Sequence, residues 1–264
     1  MGDIAVGTCG YTYYDAPDGW QDTYESKLAA YADAHGCVEL NRTFYSLPQV
    51  STAERWRREA DSVDESFTFL LKGWQALTHP ISSPTWRDYE DELEEEQRDD
   101  VGYLQPNSTV LAAWRETNRR ATALRAPVVL IQTPPSFDCT DEHATTLRAF
   151  VEHIDRDGVE LAWEPRGTWL EHPDRVEALC TELGLIHVTD LLRELPTATT
   201  EIAYTRLHGL NDDRYDYDYK YEERELDELA DRLETLAADH QRTFCLFNNY
   251  AMDRDAAALS QRLD

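Results

Sequence analysis

The sequence predicts an α/β protein, a single (β/α)8 TIM barrel over 1–264 with an acidic insertion after its third strand. Three observations predict it. Short apolar runs rich in β-branched residues alternate with helical patterns, the runs number eight, and all but one end in a charged or amide side chain. At 264 residues the chain fits one such domain, since barrels of this class reach about 250 residues without splitting.

The first strand is expected at 4–7, followed by a helix over 24–35 with Gly36 at the left-handed position after it. A second strand at 37–40 leads to a helix over 51–60, where Ser51 stands three residues before Glu54 in the spacing of a capping box. The third strand, 67–71, precedes the insertion at about 80–107. Its acidic centre, Asp91-Glu92-Leu93-Glu94-Glu95-Glu96, reads as a solvated helix, with a partner-binding patch as the alternative. A helix over 109–125 then leads into a strand at 128–131, and a helix over 141–155 into a strand at 159–163.

The helix over 173–183 ends at Gly184 and gives way to a strand at 185–188. The following link, 191–200, is too short and too broken by Pro196 for a full helix. Strands at 202–207 and 243–247 flank a helix over 221–240, and a last helix over 253–263 closes the series. An open doubly wound sheet is the competing architecture, but no Gly-x-Gly-x-x-Gly follows the first strand and no P-loop occurs.

Charge narrows the setting. Asp and Glu total 52 against 25 Lys plus Arg, a net charge of −27, and Lys27, Lys72 and Lys220 are the only lysines. That balance is expected of a halophilic protein in a salt-rich cytoplasm, where carboxylates hold water and counter-ions and salt screens their repulsion. It disfavours nucleic acid as a partner, because such binding depends on cations that displace counter-ions. The five cysteines show no metal or redox spacing and read as reduced core residues. No apolar stretch approaches bilayer length, so neither a membrane association nor a secretory leader is expected. Oligomeric state leaves no mark in the sequence.

Chemistry in such barrels gathers where strands give way to their following loops. Those ends supply Tyr11, Glu39 and Asn41, Lys72, Gln132, Glu164 and Arg166, Asp190, Arg206 and His208, and Asn248. Glu39, Glu164 and His208 are the candidate catalytic groups, since opposed carboxylates and an imidazole suit proton transfer. Tyr11, Asn41, Lys72, Gln132, Arg166, Arg206 and Asn248 are the candidate substrate contacts. Cations at strand ends in so acidic a chain suit an anionic or polyhydroxylated small molecule, and a buried ion network with no ligand is the bland alternative. Glu164, Asp190 and His208 form a candidate divalent-metal set, while no other cofactor is implied. Tyr45, Trp74 and Trp169 suit stacking or simple packing, and the run from Tyr215 to Tyr221 suits a lid.

Val38-Glu39-Leu40-Asn41-Arg42-Thr43-Phe44-Tyr45-Ser46-Leu47-Pro48 resembles the signature of the domain-of-unknown-function 72 family, the YecE-like proteins, and the charge balance suits a haloarchaeal member. Similar blocks follow at Gly7-Thr8-Cys9-Gly10-Tyr11, Gln132-Thr133-Pro134-Pro135-Ser136-Phe137, Arg206-Leu207-His208-Gly209 and Phe247-Asn248-Asn249. The resemblance implies a (β/α)8 barrel and supplies no reaction. Two positions depart from it: Tyr11 stands where the family shows Trp, and Glu164-Pro165-Arg166-Gly167 where it shows Glu-Phe-Arg-His. A mechanism resting on that last histidine cannot operate here. Three functions remain: an enzyme (hydrolase, isomerase or lyase), a nucleic-acid-processing barrel resembling endonuclease IV, and a non-enzymatic binding protein.

Overall fold

The structure is a computed structural model that describes residues 2–214 and 216–263. Eight strands alternate with helices: β1 (Asp3–Cys9), β2 (Cys37–Leu40), β3 (Thr68–Lys72), β4 (Val128–Gln132), β5 (Glu160–Glu164), β6 (Ile186–His187), β7 (Ile202–Leu207) and β8 (Arg242–Phe247). They form one sheet in the order β6-β5-β4-β3-β2-β1-β8-β7. The pairings are parallel, as helical crossovers require. All eight expected strands are present, with ends moved by one or two residues.

By its internal packing the chain divides into two compact units, one of 1–39, 54–69 and 188–264, the other of 40–53 and 70–187. The first holds α1 (Lys27–Ala34), most of α3 (Val50–Asp61), α8 (Glu223–Ala237) and α9 (Met252–Leu263). Its core joins Val6, Leu207 and Phe247 of the sheet to Leu226, Leu229 and Leu233 of α8 and to Met252 and Leu259 of α9. The α8 residues recur at helical spacing, so one stripe of the helix meets the sheet. Burial of each such leucine contributes about 2 kcal/mol.

The second unit holds the one-turn helices α2 (Arg42–Tyr45) and α4 (Gln75–Thr78), then α5 (Ser108–Leu124), α6 (Asp141–His153) and α7 (Pro173–Leu183). Trp114 anchors α5 against Phe150 of α6, ring centroids 6.1 Å apart, and its indole N–H donates to the Asp155 carbonyl at 2.8 Å. Burying so large a ring is possible because its one polar atom finds an acceptor.

Several local expectations change. Helix α3 begins one residue before Ser51, and the Gln49 carbonyl accepts from Thr52 and Ala53, so Ser51 does not cap it. Helix α1 starts late because Ser26 accepts from the Ala29 N–H at 3.1 Å. It ends on His35 in extended backbone, which leads straight through Gly36 into β2 without a left-handed residue. Gly184 does take the left-handed position, with φ 59°.

The acidic insertion holds three short 3-10 turns, Pro84–Trp86, Glu90–Glu92 and Glu95–Asp100, in place of a solvated helix. Trp86, Leu93, Val101 and Leu104 are buried, and their spacing follows the underlying surface rather than one helical face. Clustered like charges weaken the helical alternative. The return from the insertion is pinned by backbone hydrogen bonds: Gly102, Tyr103 and Leu104 N–H groups donate to carbonyls of Ala76, Thr78 and Leu77 at 2.8–3.0 Å. Gly102 has φ +94°, and a Cβ there would lie 2.4 Å from the Pro80 nitrogen.

Between β6 and β7 the chain forms no helix. Cys9, Cys37, Cys180 and Cys245 are buried, Cys139 is half-buried, and all five are free thiols. Among the described residues, no helix is long and apolar enough to cross a membrane.

Candidate functional site

In the first unit the site is built on β7, whose period-two alternation turns Tyr204 and Arg206 to one side and Leu207 into the helical core. Arg206 is fully buried and grips the equally buried Glu39 with two nitrogens: Nε donates to Oε2 at 2.9 Å and Nη2 to Oε1 at 2.8 Å. The Tyr204 hydroxyl donates to the same Oε2 in a short hydrogen bond. Burial and the Glu39 charge push the Tyr204 phenol well above its ordinary pKa, so it stays a donor. Cys9 pairs with Glu39 in register across β1 and β2, and its Sγ lies 3.6 Å from Arg206 Nη2.

His208, one residue beyond β7, is half-buried. Arg206 Nη1 lies 3.4 Å from His208 Nε2, and since a guanidinium can only donate, the imidazole accepts there in the tautomer that carries its proton on Nδ1. The backbone of His208 is fixed by Asp190, whose Oδ2 accepts its N–H at 3.3 Å while Oδ1 accepts that of Leu192 at 3.1 Å. Burial drives the Asp190 carboxyl up to about 6 despite those two hydrogen bonds.

In the second unit the signature segment after β2 has a structural explanation. The Thr43 hydroxyl reaches the carbonyls of Leu40 and Lys72, which fixes α2 against the end of β3. Phe44 is thereby set beneath Lys72, whose Nζ lies 4.2 Å from the ring centroid. Asn41 begins that turn and is half-buried. On neighbouring β4 and β5, Gln132 and Glu164 are register partners. Gln132 Nε2 donates to Glu164 Oε1 at 2.8 Å, and Arg166 reaches the same oxygen from Nη2 at 3.1 Å. His79 lies buried nearby with Nδ1 2.7 Å from the Thr78 hydroxyl. Desolvation, then the charges of Lys72 and Arg166, bring it down to about 3, so it is neutral.

The structure therefore gathers Glu39, Arg206, His208 and Asp190 in one unit, and Lys72, Gln132, Glu164 and Arg166 in the other. Tyr11 and Asn248 are half-buried at strand ends, and Tyr11 stands 6.0 Å from Tyr31. The structural asparagine of the β8 pair is Asn249, whose Nδ2 donates to Tyr219 O and Asp255 Oδ2, each at 2.8 Å. Trp169 is fully buried, its indole bonded to the Phe137 carbonyl at 2.7 Å. Tyr215 of the tyrosine run lies outside the described residues.

Among the described residues, no group of three or more His, Cys, Asp or Glu is placed to hold a metal ion. Within their own units, Arg166 Nη2 lies 3.1 Å from Glu164 Oε1, and Asp190 accepts the backbone N–H groups of His208 and Leu192. Sequence reasoning missed Tyr204. Its signal was its position two residues before Arg206 on the same strand, hence on the same face.

Strand order and strand-end chemistry define an α/β protein of the (β/α)8 TIM-barrel class. The chain belongs to the family described as "Protein of unknown function DUF72", whose model matches residues 5–264. It is similar to the UPF0759 protein YunF of Bacillus subtilis, 25% identical over 93% of this chain and 88% of that one. Among solved structures, a DUF72 family protein of Thermotoga maritima superposes with a TM-score of 0.70 at 22% identity, covering 99% of both chains. The D-psicose 3-epimerase of Clostridium cellulolyticum, solved with D-tagatose, gives 0.55 at 11% identity over 98% of both and shares the fold.

Proposed function

We propose that the protein is an enzyme that moves a proton on a small polyhydroxylated or anionic substrate at the C-terminal ends of its strands. The observation that carries this reading is the row Glu39–Arg206–His208, buried at one end and ending in a half-exposed imidazole beside the guanidinium. An imidazole at a strand end is a group suited to taking up and returning a proton. Asp190 holds the histidine backbone, and Glu39 holds the arginine.

Glu164 is proposed as a second proton-handling group. Lys72 and Arg166 bind negative charge or hydroxyls, and Gln132, Asn41, Tyr11 and Asn248 supply further polar contacts. The sugar named for the epimerase that shares this fold supports a ketose-like substrate. Abstraction of a proton beside a carbonyl covers isomerase and lyase chemistry, and hydrolysis is the competing outcome.

The test is solvent exchange. Ketoses, sugar acids and sugar phosphates are incubated with the protein in deuterated buffer containing molar KCl and followed by proton NMR. Deuterium incorporation into one substrate class is expected, with loss of about a hundredfold or more in His208→Gln. A panel that shows no incorporation while glycosides or esters are cleaved would move the reading to hydrolysis. Inertness throughout would sink it.

A further inference from the structure

The loops leaving β7, β8 and β1, neighbours in the sheet, each carry a tyrosine that the core does not take up. Tyr217 stands beside His208 with ring centroids 5.8 Å apart. The Tyr250 N–H donates to the Tyr217 carbonyl at 3.0 Å, and the Tyr250 ring meets Tyr13 edge to face at 6.3 Å. Two ring pairs, His208–Tyr217 and Tyr13–Tyr250, are thus joined through a main-chain hydrogen bond into one row of residues.

Its outer members are 60% and 63% exposed, the most exposed aromatic residues among the described residues of the unit. Tyr14, next to Tyr13, shows what a structural tyrosine does in this loop: it is buried, with its hydroxyl donating to the Ala30 carbonyl at 3.1 Å. The Tyr217 loop is held by side chains on both flanks. Arg193 donates to Gly209 O and Asn211 O at 2.8 and 2.6 Å. Asn211 Nδ2 donates to Asp216 O and Asp218 O, each at 3.1 Å.

Fixed, exposed aromatic faces suit flat ligands with apolar C–H faces or π-faces, which means sugar rings or nucleobases. Charge separates the two. Asp15, Asp216 and Asp218 are exposed along the row, so a phosphodiester chain meets repulsion where nucleic-acid binding needs cations. A neutral sugar chain meets none, and carboxylates accept its hydroxyls. We propose that Tyr13, Tyr217 and Tyr250 form the stacking wall of an extended carbohydrate site, so that the protein prefers a chain of neutral sugar units to a monosaccharide. The proposal rests on the reading of His208 as the reacting end of the site.

The probes are cellotetraose, maltotetraose and chitotetraose, their monosaccharides, and oligo-dT, titrated calorimetrically into the full chain in molar KCl. At least one tetrasaccharide is expected to bind more tightly than its monosaccharide. Tyr13→Ala/Tyr250→Ala, at exposed positions and with the melting temperature measured alongside as the control for folding, should weaken that binding by about tenfold and spare the monosaccharide. Equal binding of tetrasaccharide and monosaccharide, an unaffected double variant, binding of oligo-dT alone, or no binding at all each overturns the proposal. Tetrasaccharide binding without any solvent exchange would keep the strip and remove the proton-transfer reading; exchange on a monosaccharide without tetrasaccharide binding would do the reverse.

Discussion

Arg206 holds Glu39 through two nitrogens on two different oxygens, 2.9 and 2.8 Å away, with both side chains withdrawn from solvent. Such a pair strands a buried charge when either member is lost. Arg206→Met is expected to destabilise the protein by about 3–5 kcal/mol, and Glu39→Gln combined with Arg206→Met by clearly less. Denaturant unfolding of the single and double variants in molar KCl checks this; additive losses would show that the two side chains do not act as a pair.

Asp190 titrates at about 6 in the folded protein against an ordinary 3.8. Between those values the native state keeps a proton that the unfolded chain releases, so this group's contribution to stability falls as pH rises from about 4 to 6. The swing is roughly 3 kcal/mol at most. Asp190→Asn should flatten that part of the stability–pH curve.

His79 works in the opposite sense. Its folded value of about 3 lies below the ordinary 6.5, so its contribution is complete above pH 6.5 and is lost as pH falls toward 3, when the buried ring must take up a proton. Acid unfolding of His79→Gln should begin at lower pH than that of the parent. An unchanged midpoint would mean that other groups set the acid limb.

Gly102 fixes the return of the acidic insertion. Gly102→Ala places a methyl against the Pro80 and His79 backbone at a positive φ, at an expected cost of about 2 kcal/mol or more. The melting temperature should fall, and amide exchange should rise first at Gly102, Tyr103 and Leu104, whose N–H groups lose their carbonyls.

With a net charge of −27, the melting temperature should climb from dilute buffer to molar KCl as repulsion is screened. Equal melting in the two would argue against the halophilic reading.

Strands were legible because each is a short β-branched run with a polar end, a signal set by backbone geometry alone. Arg206 and Glu39 were legible as strand-end charges, but their partnership was not, since it joins β2 to β7 and no local pattern encodes it. Tyr204 was hidden by its ordinary appearance inside a strand. The insertion was misread because a run of acids looks solvated, while the residues that seat it, Trp86, Leu93 and Leu104, are scattered singly among the charges. Ser51 misled because a serine three residues before a glutamate also fits inside a helix that starts one residue earlier.

The return of that insertion at Gly102 is fastened by main-chain N–H and C=O groups, while the side chains of Trp86, Leu93 and Leu104 seat its body. The exposed acids between Pro84 and Asp100 take no part in that seat, so they are free to change in number or sign while the turn at Gly102 still lands in place. In evolutionary terms the segment is a cassette, whose surface charge can be exchanged without disturbing Lys72 on the strand before it.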